Sequence, residues 1–272
     1  MNNLDLAATD AVTVEIGGMP IALGTRDASF RTLLEERYTG FLSSSSPQFR
    51  LDIDLTEPSD TPDPDEDVQV QMQAGAWTLK RGDFRALWDP RAGAGQIRQA
   101  RSPYAVDSVL RIVHTLLLAQ QGGFLIHAAS AIRDGRAFLF AGVSGAGKTT
   151  ISRLAPPDAT LLTDEISYVR PEAGGYIACG TPFAGELARL GENTSAPLST
   201  LFLLEKGSEN RITPVNPGDA ICSLLRNILF FANDSDLVKR VFRSACRFIE
   251  SVPVRRLTFV PDERVWEIIS KE

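Results

Sequence analysis

Gly142-Val143-Ser144-Gly145-Ala146-Gly147-Lys148-Thr149 fits the eight-residue pattern G-x-x-x-x-G-K-[ST] in full. Each residue type in it has a physical task. Glycines let the backbone turn tightly and aim its N–H groups at phosphate oxygens with no side chain in the way. A helix that begins where the loop ends adds its N-terminal N–H groups and the positive end of its dipole. Lys148 has the reach for the β- and γ-phosphates, and the Thr149 hydroxyl suits magnesium. Thr150 carries the same stretch onto the helix. The flanks agree: Ala137–Ala141 (AFLFA) reads as a strand and Thr149–Leu154 as the start of a helix. A chance match, or a glycine loop of structural purpose only, seldom falls between a strand and a helix. The pattern predicts a site for nucleotide phosphates, with ATP and Mg2+ as its ligands.

Two acids follow at a useful distance. Ala159–Thr163 (ATLLT) is a short apolar strand that ends in Asp164-Glu165. A carboxylate at a strand end beside the loop can hold magnesium directly or through water, together with Thr149. A second can orient an attacking hydroxyl and take its proton. The plainer reading is a pair of turn acids. His127 is one of two histidines. It lies on the strand before the loop strand, where a neutral imidazole could orient or tune Asp164. A lone histidine on an apolar strand is otherwise a packed core residue, and His114, inside a helical stretch, is assigned to packing.

These side chains meet only if the surrounding elements bring them together. Phe124–Ile132 and Arg136–Ala141 flank Arg133-Asp134-Gly135, and Asp-Gly favours a tight hairpin. The loop strand therefore gains an antiparallel neighbour from the sequence just before it. Pro156-Pro157 ends the loop helix after barely two turns. Ile166–Arg170 and Tyr176–Cys179 read as another hairpin, and Leu201–Glu205 and Val254–Val260 as strands. Pro217–Phe231, Asp234–Ser251 and Asp262–Ser270 have helical spacing. Gly180–Gly185 is either a flexible wall over an acceptor site or a structural turn.

Upstream, Val12, Val14 and Ile16 alternate with polar residues before a Gly17-Gly18 turn, and Leu51, Ile53 and Leu55 alternate again. Phe30–Tyr38 has helical spacing, and Val68–Leu79 and Arg85–Trp88 are strand-like. Glu57–Asp67 carries no positive charge and is proline-rich, which predicts a solvated loop. A helix over Ala105–Gln121 joins the halves. The expected organisation is a β-rich N-terminal domain over 1–103 and a nucleotide-binding domain over 104–272.

The bulk properties exclude some classes. Hydrophobic residues make up 43% and charged residues 23% of the 272, as in an ordinary soluble protein. No apolar stretch is long enough to span a bilayer, and the N-terminus lacks the pattern of a signal peptide. Three widely spaced cysteines, Cys179, Cys222 and Cys246, fit free thiols in a reducing compartment, so a cytoplasmic location is expected. A net charge of −6 argues against nucleic acid as a partner. Arg226, Arg240, Arg243 and Arg247 read as solvated helix faces rather than a substrate clamp.

His127, the hairpin into GVSGAGKT, and Asp164-Glu165 together resemble the catalytic domain of HPr kinase/phosphorylase, whose fold is related to the ATP-dependent phosphoenolpyruvate carboxykinases. Gly180–Gly185, Asn193, Ala196-Pro197-Leu198 and Leu201–Glu205 are similar to HPr-kinase-like proteins of peptide-tailoring clusters, including those of lasso peptides. The resemblance spans about 104–270. It implies an α/β fold with a mixed sheet around the phosphate loop. It also implies that Gly142–Thr149 bind the phosphates, that Asp164 and Glu165 divide metal binding and general-base duty, and that His127 supports them. Glu165 stands where the family has Asp, and Thr150 where the HPr enzymes have Glu. No arginine loop of the phosphorylase direction is visible. These departures favour a kinase-only relative with a substrate other than HPr.

The expectation is an ATP-dependent phosphotransferase acting on a serine-type hydroxyl of a peptide or protein, including a ribosomal precursor peptide. A small-molecule kinase and a nucleotide-dependent peptide-binding module without transfer are the alternatives. The HPr enzymes are hexamers, so a homo-oligomer is compatible with the resemblance.

Overall fold

A computed structural model of the chain describes residues 11–57, 67–187 and 190–272. The signal-peptide reading rests on residues outside these, and the Glu57–Asp67 loop lies almost wholly outside them. The chain divides into two compact units, 1–114 with 231–235, and 115–230 with 236–272. The division falls inside a helix rather than at residue 103.

The first unit is built on a seven-stranded mixed sheet. Its strands are β1 (Ala11–Ile16), β2 (Met19–Thr25), β3 (Phe49–Leu55), β4 (Gln69–Gln73), β5 (Ala76–Arg81), β6 (Phe84–Asp89) and β7 (Ala94–Gln99), in the order β1-β2-β3-β7-β6-β5-β4. The β2–β3 and β3–β7 pairs are parallel and the others antiparallel. Gly17 and Gly18 both take positive φ, 61° and 80°, as the tight β1–β2 hairpin requires. Helix α1 (Ala28–Arg37) starts where the Asp27 side chain accepts the Phe30 N–H. Asp107, buried on α2 (Pro103–Gln121), accepts the Tyr38 hydroxyl at 2.7 Å and pairs with Arg37. A buried carboxylate is tolerable only with such partners.

The second unit holds an eight-stranded mixed sheet. In chain order its elements are β8 (Phe124–Arg133), β9 (Arg136–Ala141), α3 (Lys148–Arg153), β10 (Thr160–Thr163), β11 (Ile166–Glu172), β12 (Gly175–Cys179), β13 (Ser195–Lys206), β14 (Arg211–Pro214), α4 (Pro217–Asn227), α5 (Ser235–Ser251), β15 (Val254–Phe259) and α6 (Val265–Ile269). The β8–β9 hairpin turns on Asp134 and Gly135, with φ of 51° and 72°. β8 is long enough to pair with β11 over 124–127, with β10 over 130–132 and with β9 over 128–133. β13 runs parallel to both β9 and β15.

Period-two alternation gives the sheet two apolar faces. Ala137, Leu139 and Ala141 of β9 join Leu224, Ala245 and Phe248 of α4 and α5 in one core. Phe138 and Phe140 point the other way, toward Ile151 of α3 and Val265, Trp266 and Ile269 of α6. The helical spacing over Pro217–Phe231 overshoots, because α4 stops at Asn227. Ile228 leaves the helix to bridge Ile126, and Leu229 N–H donates to Leu125 O at 2.9 Å. Pairing with β8 replaces the last helical turn.

Candidate functional site

The phosphate-loop sequence occupies the turn between β9 and α3. Gly142 packs so tightly that an added Cβ would lie 2.7 Å from Ala146 Cβ, and Ala146 N–H closes the turn onto Val143 O at 3.0 Å. Gly145 and Gly147 have φ of 75° and 114°. α3 starts at Lys148, and its far end is held by Trp266 Nε1–H, which donates to Ile151 O at 3.2 Å. The first-turn N–H groups of such a helix have no carbonyl of their own to meet.

Lys148 Nζ folds back to donate to Gly142 O at 3.0 Å. Burial lowers its pKa, and the carboxylates of Glu165 and Glu186 oppose that shift. The Thr149 hydroxyl donates to Glu186 Oε2 at 3.0 Å. Glu186 thus enters the site beside the residues recognised in the sequence.

The strand end beside the loop is shaped by Thr163, whose hydroxyl accepts the N–H groups of Glu165 and Ile166 at 3.2 and 3.3 Å. Asp164 is only 3% exposed. Its Oδ1 accepts Gly185 N–H and its Oδ2 accepts Leu187 N–H, each at 2.9 Å. Gly180–Gly185 is not a loose wall: Thr181 N–H donates to Leu162 O at 3.2 Å and the Thr181 hydroxyl to Ile166 O at 2.7 Å. His127 sits on β8 opposite Ile166 of β11.

His127, Ser144, Gly145, Gly147, Lys148, Thr149, Thr150, Asp164 and Glu165 line one cleft of about 480 Å³ with Gly185, Glu186 and Lys206. Gly142 and Val143 face a second opening of about 600 Å³, which shares His127 and Ser144 and includes Arg226 and Arg256. Ala146 is buried under the loop. A larger cavity of about 650 Å³ lies by Pro156-Pro157 and contains none of the candidate residues, so size is a poor guide to the chemistry here. Arg240, Arg243 and Arg247 lie on α5, outside the residues lining these clefts. His114 is fully buried, and burial lowers its pKa to about 4.

Glu186 and Lys206 were not singled out by sequence reasoning. Glu186 is in an aperiodic stretch, and only its position directly after Gly185 marks it. Lys206 closes the apolar run of β13. Among the described residues, no group of three or more His, Cys, Asp and Glu side chains converges as a metal centre. The cleft instead offers hard oxygen donors, Thr149 with Glu165 and Glu186. Magnesium usually takes one or two protein carboxylates alongside phosphate oxygens, so the donor set fits it.

The molecule is thus an α/β protein with two mixed sheets, carrying a phosphate-loop sequence in an acid-lined cleft. Residues 104–272, more than half of the chain, match the family described as SynChlorMet cassette protein ScmC, and the chain belongs to that family. The description names a cassette rather than a reaction. No curated protein matches the chain. Among the described residues, no helix is long and apolar enough to cross a membrane.

Proposed function

We propose that this chain is an ATP-dependent kinase that transfers the γ-phosphoryl group to a serine-type hydroxyl of a peptide or protein. The observation that carries the reading is a complete phosphate-loop motif sharing one cleft with Lys148, Asp164, Glu165 and His127. Membership of a cassette family supports a precursor peptide as the acceptor. The antiparallel β8–β9 entry into the loop supports a fold of the HPr kinase and phosphoenolpyruvate carboxykinase type. A cytoplasmic location goes with this reading.

In the proposed reaction the loop N–H groups hold the phosphates in place, and Lys148 exchanges Gly142 O for a phosphate oxygen. Bound magnesium would neutralise charge on the transferring group, held by Thr149 and a cleft carboxylate. Glu165, whose side chain is not needed for the loop contacts that occupy Asp164, accepts the proton of the attacking hydroxyl. His127 borders the acid pair and the second opening, where it can orient the incoming hydroxyl.

The test is transfer of labelled γ-phosphate by the full chain to peptides encoded beside its gene, with an HPr control and Lys148→Ala in parallel. Label on a peptide serine that disappears in Lys148→Ala supports the proposal. Tight ATP binding with no labelled peptide would replace it with a small-molecule kinase or a binding module.

A further inference from the structure

Glu186 has the position of a working group in the cleft. Its carboxylate meets the Thr149 hydroxyl at 3.0 Å, the hydroxyl that the phosphate-loop pattern assigns to magnesium. It also acts on Lys148, together with Glu165. Asp164 is placed differently. Both its oxygens are spent on backbone N–H groups, and those belong to Gly185 and Leu187, the residues on either side of Glu186. The bracket leaves little play, because an added Cβ on Gly185 would lie 2.9 Å from both Asp164 Oδ2 and Glu165 Cβ. The segment is pinned again at Thr181, on Leu162 O and Ile166 O.

We propose that Glu186, rather than Asp164, is the acid that works with Thr149 on the metal of a bound nucleotide, and that Asp164 is the positioning residue that fixes it there. The inference rests on the kinase reading above. Its electrostatic logic is simple. A carboxylate facing nucleotide phosphates repels them unless a cation stands between, and it then becomes attractive. Glu186 therefore makes nucleotide binding depend on metal. Glu165 keeps the base role.

The experiment measures ATP binding to the full chain with and without Mg2+, and Mn2+ binding by electron paramagnetic resonance, for wild type, Glu186→Gln, Glu165→Gln and Asp164→Asn. Glu186 is exposed, so its substitution does not threaten the fold; thermal melting checks each variant. Glu186→Gln should lose roughly 10- to 100-fold in metal-assisted binding, the range seen when groups around a metal are removed. It should bind metal-free ATP as well as wild type or better. Asp164→Asn should shift the metal dependence in the same direction, and Glu165→Gln should keep it while losing transfer. A Glu186→Gln protein with the wild-type metal dependence, or loss of that dependence in Glu165→Gln instead, overturns the assignment. Wild-type protein that binds no ATP would remove the kinase reading itself, a result separable from either.

Discussion

Gly185 donates its N–H to Asp164 Oδ1 at 2.9 Å, and the same residue has no space for a side chain, since an added Cβ would come within 2.9 Å of Asp164 Oδ2. A buried carboxylate thereby holds a loop through backbone contacts that only glycine permits at this point. Gly185→Ala should separate the two and cost about 1–3 kcal/mol, the usual range for overpacking. Thermal melting together with ATP binding in Mg2+ checks this; wild-type values for both would show that the bracket is dispensable.

Two loop glycines should differ in cost for a stated reason. Gly145 has φ of 75° but open space around an added Cβ, so Gly145→Ala carries backbone strain alone, about 1–2 kcal/mol. At Gly147, with φ of 114°, the Cβ would also lie 2.7 Å from Phe259 Cζ, in the core shared with α3 and α6. Gly147→Ala should be the more destabilising, by roughly a further 1–3 kcal/mol. Urea unfolding gives the order, and equal costs would contradict it.

Lys148 carries a desolvation cost in the fold. Burial lowers its pKa from 10.5 against the pull of Glu165 and Glu186. The penalty of keeping it charged is full below the lowered folded-state pKa and vanishes as pH rises toward the unfolded value. Lys148→Met should therefore raise stability at neutral pH, by less than about 1 kcal/mol because the open cleft screens the charge. The gain should shrink at high pH, while ATP affinity falls by about 2 kcal/mol or more. Melting curves at pH 7 and pH 10 test the sign.

His114 supplies an acid limit. It is fully buried, with a pKa lowered by desolvation from 6.5 to about 4. Below pH 6.5 the unfolded chain takes up a proton that the folded chain refuses until about pH 4, so stability falls across that window. The loss approaches about 3 kcal/mol at its lower end, from 1.36 kcal/mol per unit over the shift. His114→Leu should flatten this part of the stability profile, measured by denaturant unfolding between pH 7 and pH 4. An unchanged slope would assign the acid sensitivity to other groups.

Much of the local structure was legible in the sequence. Alternation marked β1 and β3, Asp134-Gly135 marked the β8–β9 hairpin, and the phosphate-loop pattern lies between a strand and a helix as its spacing requires. β7 and β14 escaped notice. Gly93 and Gly95 break up the apolar signal around β7, and β14 is four residues with only Ile212 as an aliphatic member. The pairing of β8 with β10 and β11 and the parallel β9–β13 pair were out of reach because strand pairing is a long-range choice that period-two patterns do not encode. In the cleft, residue types identified Lys148, Thr149 and the acid pair, but not the use of Asp164. A carboxylate reads the same in sequence whether it faces solvent, metal or backbone N–H groups; only the fold of 185–187 over it distinguishes them.

The two-residue turn at Asp134-Gly135 has a kinetic consequence. The strand that leads into the phosphate loop finds β8 across the shortest possible separation, while its other neighbour, β13, lies some 60 residues further along the chain. Closing a small loop costs little entropy and a hairpin forms in about 1–10 μs, whereas distant pairings wait for more of the chain. The order of assembly expected is β8 with β9 first and β13 with β15 later, so that the loop is tethered on one side before its floor exists. Pulse-labelled hydrogen exchange would record this as early protection of Leu139 and late protection of Leu203; simultaneous protection would mean that the sheet forms in one step.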